Sequence, residues 1–126
     1  MIKISTTPLT LFFSLCLLIS ACTIQVGGAP TKTDNIQQQA WAEIDNGALL
    51  IDVRSPEEYS EGHLDKAINI PHTEIGSRLS ELNQDQAIVL YCRSGGRAGQ
   101  AQKILHDNGY TKVLNAGGYS QLLAKR

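Results

Sequence analysis

Several chemistries are excluded by what this chain lacks. Its three cysteines, Cys16, Cys22 and Cys92, form no Cys-x-x-Cys pair and no cluster with its three histidines. A zinc site needs such a cluster, and a thioredoxin-type centre needs paired thiols. Neither G-x-G-x-x-G nor G-x-x-x-x-G-K occurs, so neither a dinucleotide fold signature nor a P-loop is present. Charge of one sign is also missing. Eleven Lys and Arg face twelve Asp and Glu, with no long basic patch for nucleic acid and no acidic tail. No internal repeat and no low-complexity tract is visible. The one long apolar run falls short of the ~20 residues that a membrane-spanning helix needs.

That run has another use. Lys3 supplies a positive start, "LTLFFSLCLLISA" at 9–21 is uncharged and apolar, and the small residues Ser20 and Ala21 stand before Cys22. This is the layout of a cleaved secretory signal. The expected organisation is a signal over 1–21, a tether over 22–33 and one domain over 34–126. A domain of that size can build its own core without disulfide staples. With the signal removed, Cys16 is gone. A leftover cysteine in a compartment that promotes disulfides suggests a reactive thiol or an intermolecular bond.

Along the domain, helix and strand patterns alternate. Ile36, Ala40, Trp41 and Ile44 share one helical face, with a capping-box spacing at Asp34 and Gln37 and a stop at Gly47. "ALLIDV" at 48–53 is a continuous apolar run, as in a strand covered on both faces. Ser55, Pro56 and Glu58 mark a helix start. "KAINIP" reads as a short strand, and Ile75, Leu79 and Leu82 as a helix face. "AIVLYC" at 87–92 is the next strand. Ala101, Ile104 and Leu105 mark the inner face of a helix that ends at Gly109. "KVLNA" predicts a last strand and "GYSQLLAKR" a terminal helix. Such alternation implies an α/β domain with a mainly parallel sheet. Ligands in such folds sit beyond the carboxyl ends of the strands, where Cys92 falls.

"CRSGGRAG" at 92–99 is where the chemistry concentrates. The thiolate is the nucleophilic form of cysteine, and cations or a helix N-terminus favour it. Gly95 and Gly96 permit a tight turn, including left-handed conformations. Successive N–H groups in such a turn form an anion nest, and the helix beginning near Arg97 adds its dipole. The stretch predicts a small cradle with a thiolate at its base, suited to an anionic substrate. The competing reading is a buried strand-end cysteine before an ordinary loop.

"CRSGGR" resembles the active-site loop of rhodanese-like sulfurtransferases. "LIDVRSPEEYSEGHLDKAINIP" at 50–71 resembles that family's upstream motif, and "VLNAGGYSQL" at 113–122 its C-terminal segment. The resemblance spans about residues 34–126 and implies a rhodanese-like fold: a small, mainly parallel sheet flanked by helices, with the active loop between a strand and a helix N-terminus. It implies a ping-pong reaction in which Cys92 takes sulfur from thiosulfate or a similar donor, holds it as a persulfide, and passes it to cyanide or a thiol. The N–H groups of Arg93, Ser94, Gly95, Gly96 and Arg97 would stabilise the persulfide. Arg97, and secondarily Arg93, would hold the donor's anionic end. Neither a metal nor an organic cofactor is implied. Separately, "LISAC" at 18–22 resembles the lipobox of bacterial lipoproteins. That implies a lipid on Cys22 and a periplasmic domain, with the outer membrane favoured because Thr23 is not Asp. Stable anchoring takes more than one acyl chain.

Two alternatives stay open at this level. Cysteine phosphatases and arsenate reductases use C-x5-R, whereas Cys92 to Arg97 is C-x4-R and the longer spacing ends on Ala98. A non-catalytic domain that binds a partner or senses oxidants is the other. Asp52 and Arg54 match the family's Asp-x-Arg. A structural role is favoured for both, with Arg54 paired to Glu58 and Asp52 tying down loops. Glu58 also serves its helix cap. His63 matches a Gly-His pair without a required catalytic role, and His72 and His106 read as surface residues. Tyr91 and Trp41 read as core. Lys66 stands where the family pattern has glycine, which puts the local turn in doubt.

Overall fold

The computed structural model describes residues 32–126; the expected signal, Cys22 and the tether up to residue 31 lie outside the described residues. Four helices and four strands follow one another: α1 (Lys32–Asp45), β1 (Leu49–Asp52), α2 (Pro56–Glu61), β2 (Ile68–Asn69), β3 (Ile88–Cys92), α3 (Gly96–Asp107), β4 (Val113–Gly118) and α4 (Tyr119–Leu123). The strands form one sheet in the order β2-β1-β3-β4, and every pairing is parallel. This is the expected architecture. Among the described residues, no helix is long and apolar enough to cross a membrane.

The apolar runs behave as a two-sided sheet requires. All five residues of β3 are buried, and alternate side chains go to opposite faces. Ile51, Val53, Ile88, Leu90 and Cys92 pack with Ala98, Ala101 and Leu105 of α3. Leu50, Val89 and Tyr91 pack on the other face with Ala40 of α1 and Leu122 of α4. Each fully buried Leu or Ile contributes about 1.5–3 kcal/mol, so the two clusters supply the main drive for folding.

Local signals account for α2 in full. The Glu58 N–H donates to Ser55 Oγ at 3.3 Å, and the Ser55 N–H donates to Glu58 Oε2 at 3.1 Å. Pro56 opens the helix. Elsewhere tertiary contacts override the local reading. α1 begins at Lys32, two residues inside the expected tether. Gln37 is not a capping partner: it is buried, and its Nε2 donates to the Ala116 carbonyl at 2.8 Å. The helix expected around 75–82 is instead two 3-10 turns, Ile75–Ser77 and Leu79–Glu81. Gly76 weakens an α-helix there by about 1 kcal/mol. The double turn still sends Ile75, Leu79 and Leu82 into the α3-side core. Lys66 adopts φ 66°, so the turn that a glycine would favour is kept with a lysine in the left-handed region.

Candidate active site

Cys92 ends β3 and is 1% exposed. Its side chain lies on the α3 face of the sheet, under the loop that leads into α3. Gly95 caps that helix in the left-handed region, at φ 98°. There its N–H donates to Cys92 Sγ at 2.9 Å. The first turn of α3 leaves the N–H groups of Gly96, Arg97 and Ala98 without a backbone acceptor. A sulfur at a strand end is thus met by one bound N–H and by the positive end of a 12-residue helix. Ser94 and Gly96 are exposed.

The end of β4 braces this loop. β3 and β4 shift register so that Cys92 faces Gly118. A Cβ on Gly118 would run into the Arg93 carbonyl oxygen, and one on Gly95 would come within 3.3 Å of Gly117 Cα. Two backbones touch here, which is what paired glycines at a strand end permit. Asn115 ties them further. Its Nδ2 donates to the Gly95 carbonyl at 3.0 Å, and its Oδ1 accepts from the Gly117 N–H at 2.9 Å. Gln121 Oε1 accepts from the Gly118 N–H at 3.2 Å. The sequence pointed to neither Asn115 nor Gln121, and to Gln37 only as a helix-capping residue. The only signal was the Gly-Gly pair after a strand, which marks close backbone approach without naming a partner.

The two arginines of the loop differ sharply. Arg97 donates to both oxygens of Glu58, at 2.6 and 2.9 Å. Its Glu58 partner is held down to about 2, mainly by the Arg97 hydrogen bonds, and the Arg97 guanidinium is in turn pushed up, chiefly by Glu58. The Arg97 fork expected to meet an anionic donor is therefore occupied, and the pair is close to neutral. Arg93 is exposed, and its side chain makes no hydrogen bond or ion pair with another described residue.

The Arg54–Glu58 pair expected from the sequence does not form: Arg54 pairs with Asp52 and Glu58 with Arg97. Arg54 Nε and Nη2 donate to Asp52, the shortest bond being 2.6 Å, and Nη2 also donates to the Gly62 carbonyl at 2.7 Å. Two residues apart on an extended chain, the two side chains fold onto the same face. Asp52 is 0% and Arg54 7% exposed. The guanidinium lies 4.7 Å from the centre of the Tyr119 ring. The Asp52 contacts raise the Arg54 pKa against the opposing effect of burial. Asn69 Nδ2 donates to the carbonyls of both residues, which ties β2 to the end of β1. Asp52 and Arg54 thus anchor loops on the face opposite to Cys92. Tyr91 is buried on that face, and burial pushes its phenol up. The His63 ring stacks on Tyr59 with centres 3.7 Å apart, and the cysteine loop makes no hydrogen bond to it. His106 is exposed as expected, whereas His72 is half-buried beside the loop.

Two open depressions flank the loop. One, of about 390 Å³, is lined by Ser94 and Gly95 together with the neutral amides of Gln37, Asn115 and Gln121. The other, of about 220 Å³, lies between Pro71, Thr73, Glu74 and Arg97. A third hollow, of about 350 Å³, sits at the amino ends of β3 and β4, and no cysteine or histidine lines it. Among the described residues no group of three or more His, Cys, Asp or Glu could hold a metal ion.

Comparison with known proteins agrees with this architecture. The family model described as "Rhodanese-like domain" matches residues 36–125. The thiosulfate sulfurtransferase PspE of Escherichia coli (strain K12) is 43% identical over 74 residues, which are 57% of this chain and 71% of that protein. A solved structure of a rhodanese with anions from E. coli shares 40% identity at a TM-score of 0.57, covering 60% of this chain and 91% of that one. The human single-domain sulfurtransferase TSTD1 shares 31% identity at a TM-score of 0.60, covering 79% of this chain and 99% of that one. With the parallel sheet and the strand-end cysteine loop in place, this chain belongs to the rhodanese-like family of sulfurtransferases.

Proposed function

We propose that this protein transfers sulfane sulfur through Cys92, with thiosulfate or a similar anion as donor and cyanide or a thiol as acceptor. The observation that carries the reading is the Gly95 N–H donating to Cys92 Sγ at 2.9 Å, at the N-terminus of α3. In the first half-reaction the Cys92 thiolate attacks the outer sulfur of thiosulfate. A new S–S bond forms, the old one breaks, and sulfite leaves with its electron pair. The product is a Cys92 persulfide anion, whose charge the N–H groups at the start of α3 face. In the second half-reaction cyanide attacks the outer sulfur, thiocyanate leaves, and the thiolate is restored. No proton and no external electron is consumed, which fits a site whose described residues offer no histidine hydrogen-bonded to Cys92.

For the donor's anionic end we assign Arg93 ahead of Arg97, because Glu58 occupies the Arg97 fork. Arg97 and Glu58 then serve to hold the loop against α2.

Thiocyanate production from thiosulfate and cyanide tests the reading, together with the mass of the Cys92-bearing peptide after thiosulfate alone. Expected are turnover and a gain of one sulfur atom, both lost in Cys92→Ser. A folded wild-type protein with neither would overturn it, and phosphate release from an aryl phosphate would favour a phosphatase instead.

The proposal includes a cellular place: the periplasm, on a lipid attached to Cys22, at the outer membrane. What supports this is the pattern "LISAC" at 18–22 behind an apolar run. In that case Cys22→Ser moves the protein from the membrane fraction to the soluble one; an unchanged distribution would refute the anchor.

A further inference from the structure

Gly95 is gripped from two sides. Its N–H bonds Cys92 Sγ, and its carbonyl accepts from the Gly99 N–H at 2.9 Å and from Asn115 Nδ2 at 3.0 Å. Glycine visits both signs of φ with little penalty, so residue type alone does not keep Gly95 at φ 98°. Contacts must do it. The Gly99 bond belongs to the first turn of α3. Among the described residues Asn115 supplies the only side-chain hydrogen bond to the Gly95 carbonyl, and it comes from β4, 20 residues away. Its own orientation is determined. With Oδ1 accepting from the Gly117 N–H at 2.9 Å, a flipped amide would set donor against donor and acceptor against acceptor at once. The amide assignment therefore follows from the network.

We propose that Asn115 is a positioning residue that holds Gly95 so that its N–H stays on the Cys92 sulfur. This control over the thiol stands on the geometry alone. Its consequence for persulfide formation rests on the sulfur-transfer reading above. The side chain acts through Gly95, and none of its hydrogen bonds goes to Cys92.

The test compares the full chain with Asn115→Ala and with Asn115→Asp. The second keeps the shape and the acceptor for the Gly117 N–H but turns an oxygen toward the Gly95 carbonyl. Three rates are read: hydrogen exchange at the Gly95 amide by NMR, alkylation of the Cys92-bearing peptide by iodoacetamide, and sulfur uptake by that peptide from thiosulfate. In both variants the Gly95 amide is expected to exchange about five- to tenfold faster, the equivalent of one hydrogen bond. Alkylation is expected to slow by a similar factor, while amides of β1 and β3 keep their protection. A merely structural asparagine would loosen those strands together with Gly95, and that result overturns the proposal. So do unchanged Gly95 exchange and alkylation in either folded variant. If wild type alkylates normally but takes up no sulfur, the sulfur-transfer reading fails, and the first two rates still judge Asn115.

Discussion

Glu58→Gln isolates the charge that ties α2 to the cysteine loop. Glutamine keeps an acceptor for the Ser55 N–H, so the cap is retained while the ion pair with Arg97 is lost. Arg97 and the cap hold the Glu58 carboxyl at about 2, against 4.5 for a free glutamate. That difference corresponds to ~3 kcal/mol without screening. More than a quarter of each side chain is open to water, 29% for Arg97 and 28% for Glu58. Screening then leaves ~1–2 kcal/mol. For a domain of this size the expected fall in Tm is about 5–10 °C. The pH dependence has a definite sign. A carboxyl lowered in the folded state stabilises fully above its unfolded value, and the benefit is lost as pH falls from about 4.5 toward about 2. Urea unfolding of wild type and Glu58→Gln at about pH 7 and about pH 3 therefore shows a gap that shrinks by more than half at the lower pH. Equal stabilities at neutral pH would refute the reasoning, and so would a gap of constant size.

Three further outcomes follow from particular contacts. Gly118→Ala drives a methyl group into the Arg93 carbonyl; overpacking of this kind costs ~1–3 kcal/mol, and wild-type urea stability would contradict it. Lys66→Gly relieves a lysine held at φ 66°. Release of that strain exceeds glycine's entropic cost by ~0.5–1 kcal/mol, so Tm rises by a few degrees, and a lowered Tm would show that the lysine is not strained. Arg93→Ala removes the exposed cation of the loop. The KM for thiosulfate is expected to rise about tenfold at low salt, with a smaller loss at high salt because the interaction is solvent-exposed; an unchanged KM at both salt concentrations would take Arg93 out of the donor site.

Much of the fold could be read locally because its signals are local. The Ser55–Pro56–Glu58 cap needs only residues within one turn. The apolar runs of β1 and β3 predict two-sided burial before any partner is known. The 75–82 segment differs from the expected helix in type and not in place, because 3-10 and α-helical turns share nearly the same apolar spacing there. Hydrogen-bond length and Gly76 separate them only in context. The active loop was legible for the same local reason: Cys92, the glycines and the helix start are contiguous. The partner of each arginine was not. Arg54 and Glu58 are four residues apart and Arg97 and Glu58 are 39 apart, yet the distant pair forms. Arg54 folds back onto Asp52 instead.

The amino-acid sequence by itself determined the order of strands and helices, the strand-end position of Cys92 and the turn that follows it. Periodicity, capping and glycine freedom act over a few residues and survive without a fold. Only the tertiary structure decided which charges neutralise each other and what steadies the loop. Packing α2 beside the start of α3 hands Arg97 to Glu58 and leaves Arg93 without a side-chain partner among the described residues. Pairing β3 with β4 presses Gly118 against Arg93 and brings Asn115 to Gly95, which aims a backbone N–H at the sulfur. Those contacts join residues 20 or more positions apart, and distance along the chain carries no information about them until the sheet has formed.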